Sequence, residues 1–236
     1  MTTSARNQIK QSNFLNSDKL EQLSFFEHSY KSYRPFSRLT KKIGFNSSFD
    51  FGKTVTLNLS ETANYADLIT NMTVMIDVPD ISASGFGYTN GFGNALFETI
   101  ELYIDGLLID KQSSEWMDVW SELAIKPGLQ KNYEFLIKKF DATFTTNFQG
   151  GKVYIPLHFW FCQNSSSNNT KNNMILPMAA LNNSKIELKF KIRSLNDLTI
   201  NSTISGANIG TNQSVNSADI LIDYIILDES SLKTLQ

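Results

Sequence analysis

One cysteine and two histidines in 236 residues leave little material for reactive or metal-binding chemistry. With Cys162 alone, no intrachain disulfide can form. It lies in the apolar run Tyr154–Cys162, where a free thiol usually behaves as a small buried hydrophobe. Only His28 and His158 could act as imidazole bases, and no Cys/His cluster has zinc-site spacing. Charge is also sparse, at 19% of residues, and 21 Lys and Arg against 23 Asp and Glu give a net charge of −2. A protein that coats nucleic acid needs a positive excess to displace phosphate counterions, so direct genome contact is not expected. The basic residues concentrate at Lys31, Arg34, Arg38, Lys41 and Lys42, which read as a solvated segment before the first strand. The competing reading is a contact with anionic lipid or an acidic partner. Long hydrophobic runs are missing too. Tyr154–Cys162 is too short to cross a bilayer and is broken by Pro156 and His158. The first residues lack a signal-peptide core, which points to synthesis in a reducing cytosol and makes the Asn-x-Ser/Thr triplets chance matches.

What is present suits β-structure. The chain is 41% apolar and 12% aromatic, with 17 Phe, and is rich in Asn, Ser and Thr. Eight segments carry strand signals. Phe51–Leu59 and Leu68–Val78 alternate apolar and polar residues, the period of a half-buried strand. Leu96–Ile104 and Leu107–Asp110 flank Asp105-Gly106, a type I′ hairpin signal. Lys152–Cys162 is nearly continuous in apolar residues and predicts a strand buried on both faces. Lys185–Ile192, Leu198–Ile204 and Ala218–Leu227 complete the set. The expectation is all-β: an eight-stranded jelly-roll sandwich with a helical insertion and an N-terminal arm. Residues 1–45 form the arm, with an amphipathic stretch over Ser17–Tyr30 stopped by Pro35; residues 46–236 form the barrel. The helical insertion runs from a cap at Ser113 or Ser114 to about Ala124, is ended by Pro127-Gly128, and is followed by a helical turn or two in Tyr133–Phe140.

Catalytic constellations are weak throughout. His158 sits in a core-like strand, where a hydrogen-bonded structural histidine is the plain reading. Cys162, four residues on, could share its face of a regular strand, but no third group completes a nucleophilic site. Asp77/Asp80 and Glu98/Glu101 read as solvated charges. Gly85–Gly93 breaks the spacing of a phosphate cradle and reads as a flexible tip. Trp116 and Trp120, with Leu123, share a helical face; they are expected to pack on the barrel, against a lectin-like reading in which they stack on sugars. Together with Phe159 and Trp160 they are the candidate structural positions. No catalytic, cofactor or metal residue is assigned, and no cofactor is expected.

Three stretches carry a resemblance. Phe49–Ser60 (FDFGKTVTLNLS), Ile104–Leu123 (IDGLLIDKQSSEWMDVWSEL) and Ile155–Asn164 (IPLHFWFCQN), the last followed by Ile175–Leu181 (ILPMAAL), resemble major capsid proteins of the nucleocytoplasmic large DNA viruses and their polinton-like and virophage relatives. Ile220–Asp228 (ILIDYIILD) resembles the end of that family's first barrel. The resemblance implies a structural capsid protein and no enzyme, with two jelly rolls per chain and three chains per capsomer. It also implies a place in the virion beside neighbouring capsid proteins. The arm would then meet a neighbour, a minor capsid protein or an inner membrane. The chain stops at Gln236, where a second barrel should begin. Either it is an excerpt of a double-barrel subunit, which the matched motifs favour, or a one-barrel relative such as a penton or minor capsid protein.

Overall fold

The computed structural model describes residues 35–60, 67–81, 85–140, 148–162, 174–181, 183–201, 213–229 and 232–233. The amphipathic stretch expected over Ser17–Tyr30 lies outside them. One sheet has five strands, four of them in the order β1 (Phe36–Gly44), β11 (Ser217–Leu227), β3 (Leu68–Val78) and β7 (Gly151–Pro156). The second contains β2 (Thr54–Asn58), β9 (Ile186–Ile192), β5 (Phe97–Ile104) and β6 (Leu107–Ser113). All pairings are antiparallel. Short strands complete the set: β4 (Phe86–Tyr88) pairs with β10 (Thr199–Asn201), and β8 (Leu176–Pro177) pairs with the start of β3 beyond the reach of β7. Without the three short strands, the sheets run first-eighth-third-sixth and second-seventh-fourth-fifth. That double wrap is the order of a jelly roll.

Alternation dictates which side faces in. In β9, Ile186, Leu188, Phe190 and Ile192 are buried, while Glu187, Lys189 and Lys191 point away from the core. In β3, Met72, Val74, Ile76 and Val78 do the same from the opposing sheet. The two inner faces merge in one cluster with Phe97, Phe159, Phe161, Ile220 and Tyr224. The hairpin between β5 and β6 has φ of 50° at Asp105 and 79° at Gly106, the pair of positive values that a type I′ turn requires.

The structure corrects several boundaries. Residues 36–44, assigned from sequence to the arm, are β1, paired along their whole length with β11. Of the eight predicted strands, seven are jelly-roll strands. Within the eighth, Leu198–Ile204, residues 199–201 are the short β10 paired outside both main sheets, residues 202–204 lie outside the described residues, and β1 completes the wrap. The predicted strand Lys152–Cys162 stops at Pro156, although the Leu157 N–H still donates to the Met72 carbonyl at 3.0 Å, and Trp160–Cys162 form a 3-10 turn. The helix expected to run to about Ala124 does end there, and Pro127 opens a second helix at its first position, earlier than the turn or two expected in Tyr133–Phe140. Gly85–Gly93 is no flexible tip. Tyr88 and Phe92 are buried, pack with Phe148 at ring distances of 5.6 and 5.7 Å, and the Tyr88 hydroxyl donates to the Pro79 carbonyl.

Among the described residues, three α-helices sit between strands. α1 (Phe92–Leu96) precedes β5, and α2 (Ser114–Ala124) and α3 (Pro127–Ile137) join β6 to β7. Ser113 caps α2 by accepting the Trp116 N–H at 3.2 Å. α3 ends on Lys138 in the left-handed region, whose N–H bonds the carbonyls of Glu134 and Phe135. Gly93 lets α1 and α3 touch. A Cβ there would lie 2.9 Å from the Ile137 Cβ.

Candidate assembly surface on the helical insertion

The helical insertion is anchored by small residues and one polar chain. Ser114, Met117 and Ser121 are the buried positions of α2, spaced three and four residues apart on one face. Two serines there let the helix lie close to the barrel. Arg193, following β9, donates to Ser114 Oγ at 2.7 Å and to Glu115 Oε1 at 3.1 Å, which fixes the helix N-terminus to the second sheet.

Beneath the helices lies His158, with 5% of its surface exposed. Its ring stacks on Trp120 at 3.9 Å between centroids, and its Nε2 is 2.9 Å from the Tyr133 hydroxyl. The Tyr133 hydroxyl donates to Asn94 Oδ1 at 3.2 Å, and Asn94 Nδ2 donates to Asp118 Oδ1 at 2.8 Å. With the tyrosine proton used on Asn94, the imidazole proton is assigned to Nε2. Gln112 Oε1 accepts the His158 backbone N–H at 3.3 Å. Burial pushes the imidazole down to about 4 and the Tyr133 phenol up, so both are neutral near neutral pH. One chain of hydrogen bonds thus links the segment after β7 to α3, α1 and α2. It is a structural node, in line with the plain reading of His158. Cys162 follows in the 3-10 turn with its thiol pushed up to about 12 by burial, so it has none of the thiolate character a nucleophile needs.

The expected burial of the Trp116, Trp120 and Leu123 face is only partly met. Trp120 is half-buried on His158, but Trp116 is 50% exposed and Leu123 82% exposed. The helix is rotated relative to that expectation, because the close-packing side is the serine side. Val119 at 48% extends Trp116 and Leu123 into an outward stripe, and Leu129 and Phe135 of α3 are exposed at 52% and 66%. This apolar surface was not anticipated from sequence. Hydrophobicity alone points Trp116 and Leu123 inward, whereas the buried positions are Ser114, Met117 and Ser121. Phe159 is fully buried in the core, while Trp160 is half-buried, with its ring edge-on to Phe161.

Elsewhere, the acids read as solvated charges are ion-paired in part: Glu98 with Lys191 at 2.7 Å and Glu101 with Lys111 at 3.1 Å. A cleft of about 430 Å³ lies between Asp50, Ser194 and Gln213, where Asp50 accepts the N–H groups of Phe51 and Val215 and so holds the turn. Among the described residues no three His, Cys, Asp or Glu converge to hold a metal ion, and no helix is long and apolar enough to cross a membrane.

Both the sequence and the fold have counterparts among known proteins. The family model described as major capsid protein N-terminus covers residues 24–228. This chain belongs to that family. It is 33% identical over 190 residues to probable capsid protein 4 of Acanthamoeba polyphaga mimivirus, covering 73% of this chain and 34% of the relative. It is 30% identical over 211 residues to the major capsid protein of Pyramimonas orientalis virus, covering 88% and 48%. The chain therefore spans between a third and a half of those relatives. In fold it is similar to the PBCV-1 capsid protein VP54, as fitted into a reconstruction of the virophage Sputnik: TM-score 0.67, 24% identity, 90% of this chain and 47% of that one. The jelly roll of the capsid family is thus the fold of this chain.

Proposed function

We propose that this chain is the first jelly roll of a major capsid protein and serves as a wall element of an icosahedral DNA-virus shell. The observation that carries the reading is the coincidence of the double-wrapped sheet order with a family match over residues 24–228. A structural role also suits the interior. The buried polar groups His158, Tyr133, Asn94 and Gln112 are satisfied by one another, an arrangement that stiffens a fold and leaves no poised acid, base or nucleophile among them. In this reading the working unit is a homotrimeric capsomer beside neighbouring capsid proteins, located in the virion, with no catalysis and no direct nucleic-acid contact. The segment before Phe36 would reach a minor capsid protein or an inner membrane.

Quantitative mass spectrometry of purified particles, stripped of lipid by detergent, tests the proposal. Peptides of this chain are expected among the most abundant proteins of the stripped shell. Their absence, or loss with the detergent fraction, would contradict a wall role.

A further inference from the structure

We propose that Asn90 is a self-protecting latch on the end of α3, and a site of irreversible deamidation once that latch opens. This goes beyond the capsid reading and does not depend on it.

The sequence supplies the chemistry. Asn90-Gly91 is the one Asn-Gly pair in the chain. In a free peptide such a pair readily loses the side-chain amide, because glycine has no Cβ to keep its backbone nitrogen from the neighbouring side chain. The Gly91 nitrogen gives up its proton and attacks Asn90 Cγ. The bond from Cγ to Nδ2 breaks, ammonia leaves, and a succinimide ring is closed. Water then opens the ring at either carbonyl, giving aspartate or the chain-lengthened isoaspartate. Ammonia is exchanged for water, with no oxidant, metal or enzyme required. Asn90 lies at the surface, so water reaches it.

The structure ties down the atoms of that step. Asn90 Nδ2 donates to the Phe140 carbonyl at 2.9 Å, and Asn90 Oδ1 accepts the Phe140 N–H at 2.7 Å. This paired match to one backbone unit fixes which side-chain atom is nitrogen and which is oxygen. The Gly91 N–H, whose nitrogen would be the nucleophile, donates to the Lys138 carbonyl at 3.0 Å. These bonds join the loop before α1 to residues 138–140, where Lys138 turns the chain out of α3 with φ of 60°. Attack therefore waits for a local opening that breaks them.

The same geometry makes the opening one-way once the amide is lost. Aspartate places a carboxylate oxygen where Nδ2 donated, so two acceptors face each other at the Phe140 carbonyl with no proton between them. Isoaspartate also adds a methylene to the backbone of the loop. Either product leaves residues 138–140 without their tie, while Tyr133 and Ile137 keep α3 seated on the barrel.

The test ages the whole chain in warm, mildly alkaline buffer, folded and in urea, and follows conversion of the Asn90 peptide by mass spectrometry. The unfolded chain is expected to convert at Asn90, and the folded chain roughly tenfold or more slowly at the same position. Hydrogen exchange then compares the native chain with Asn90→Asp, which reproduces one product. Exchange of the Gly91 and Phe140 amides is expected to rise by about tenfold or more, with β3 and β9 unchanged. Should Asn90→Asp fold poorly, the acid form separated by charge from the aged folded chain carries the same comparison. Equal conversion rates in folded and unfolded chain would show that these bonds do not protect the amide. Native-like exchange at Gly91 and Phe140 in the acid form would show that they are not a latch. Either result overturns the proposal.

Discussion

The buried donor chain shows what single residues contribute. His158 and Asn94 each direct a polar group at the Tyr133 hydroxyl, so Tyr133→Phe would leave both short of a partner in a dry site. The expected cost is about 1–3 kcal/mol, read as a lower denaturation midpoint with an unchanged denaturant slope. His158 also makes stability depend on pH. Its folded value of about 4 lies below the ordinary 6.5, so between those values the unfolded chain binds the extra proton. Its contribution is therefore complete above pH 6.5 and is lost as pH falls toward 4, by up to roughly 1.4 kcal/mol per pH unit. His158→Gln should flatten that part of the profile from pH 7 to 4.5. Parallel profiles for variant and native chain would show that the imidazole is not the group responsible.

Among the elements, β1 has the clearest consequence. It closes one edge of the first sheet and pairs with β11 from Phe36↔Leu227 to Gly44↔Asp219. Removing residues 1–44 should expose the β11 edge and lower the melting temperature well below that of a chain lacking only residues 1–35. Equal melting of the two truncations would mean that β1 contributes nothing to the barrel.

The same strand shows where sequence pattern runs out. β3 and β9 were legible because one face of each is dry, which enforces strict alternation. In β1 every residue from Phe36 to Thr40 is exposed, so alternation was never required, and its register comes from β11. Arg38, Lys41 and Lys42, read as the mark of a solvated segment, are the charges that keep an edge strand from pairing with strangers, and Lys42 also bridges Asp219 at 2.8 Å. The type I′ turn and the Ser113 cap were legible because each rests on two or three adjacent residues. The orientation of α2 was not. Hydrophobicity alone favours Trp116 and Leu123 for the core, whereas close approach favours Ser114 and Ser121. The donor chain was invisible for a related reason: Asn94, Gln112, Tyr133 and His158 are scattered over 65 positions, and only the wrap brings them together.

At the scale of the whole molecule, two antiparallel sheets enclose one apolar core, and the helical insertion lies outside it with large apolar residues exposed. The barrel explains why apolar and polar residues alternate along its strands. The central claim is that this barrel stands in a virus wall. The most direct measurement is a cryo-electron microscopy reconstruction of particles containing this chain, at a resolution that separates strands. The account predicts shell density that accepts both sheets, in the orders β1-β11-β3-β7 and β2-β9-β5-β6, with side-chain density for Trp116 and Trp120 on the helix after β6. A shell with no density for this barrel, in particles shown to contain the chain, would contradict it.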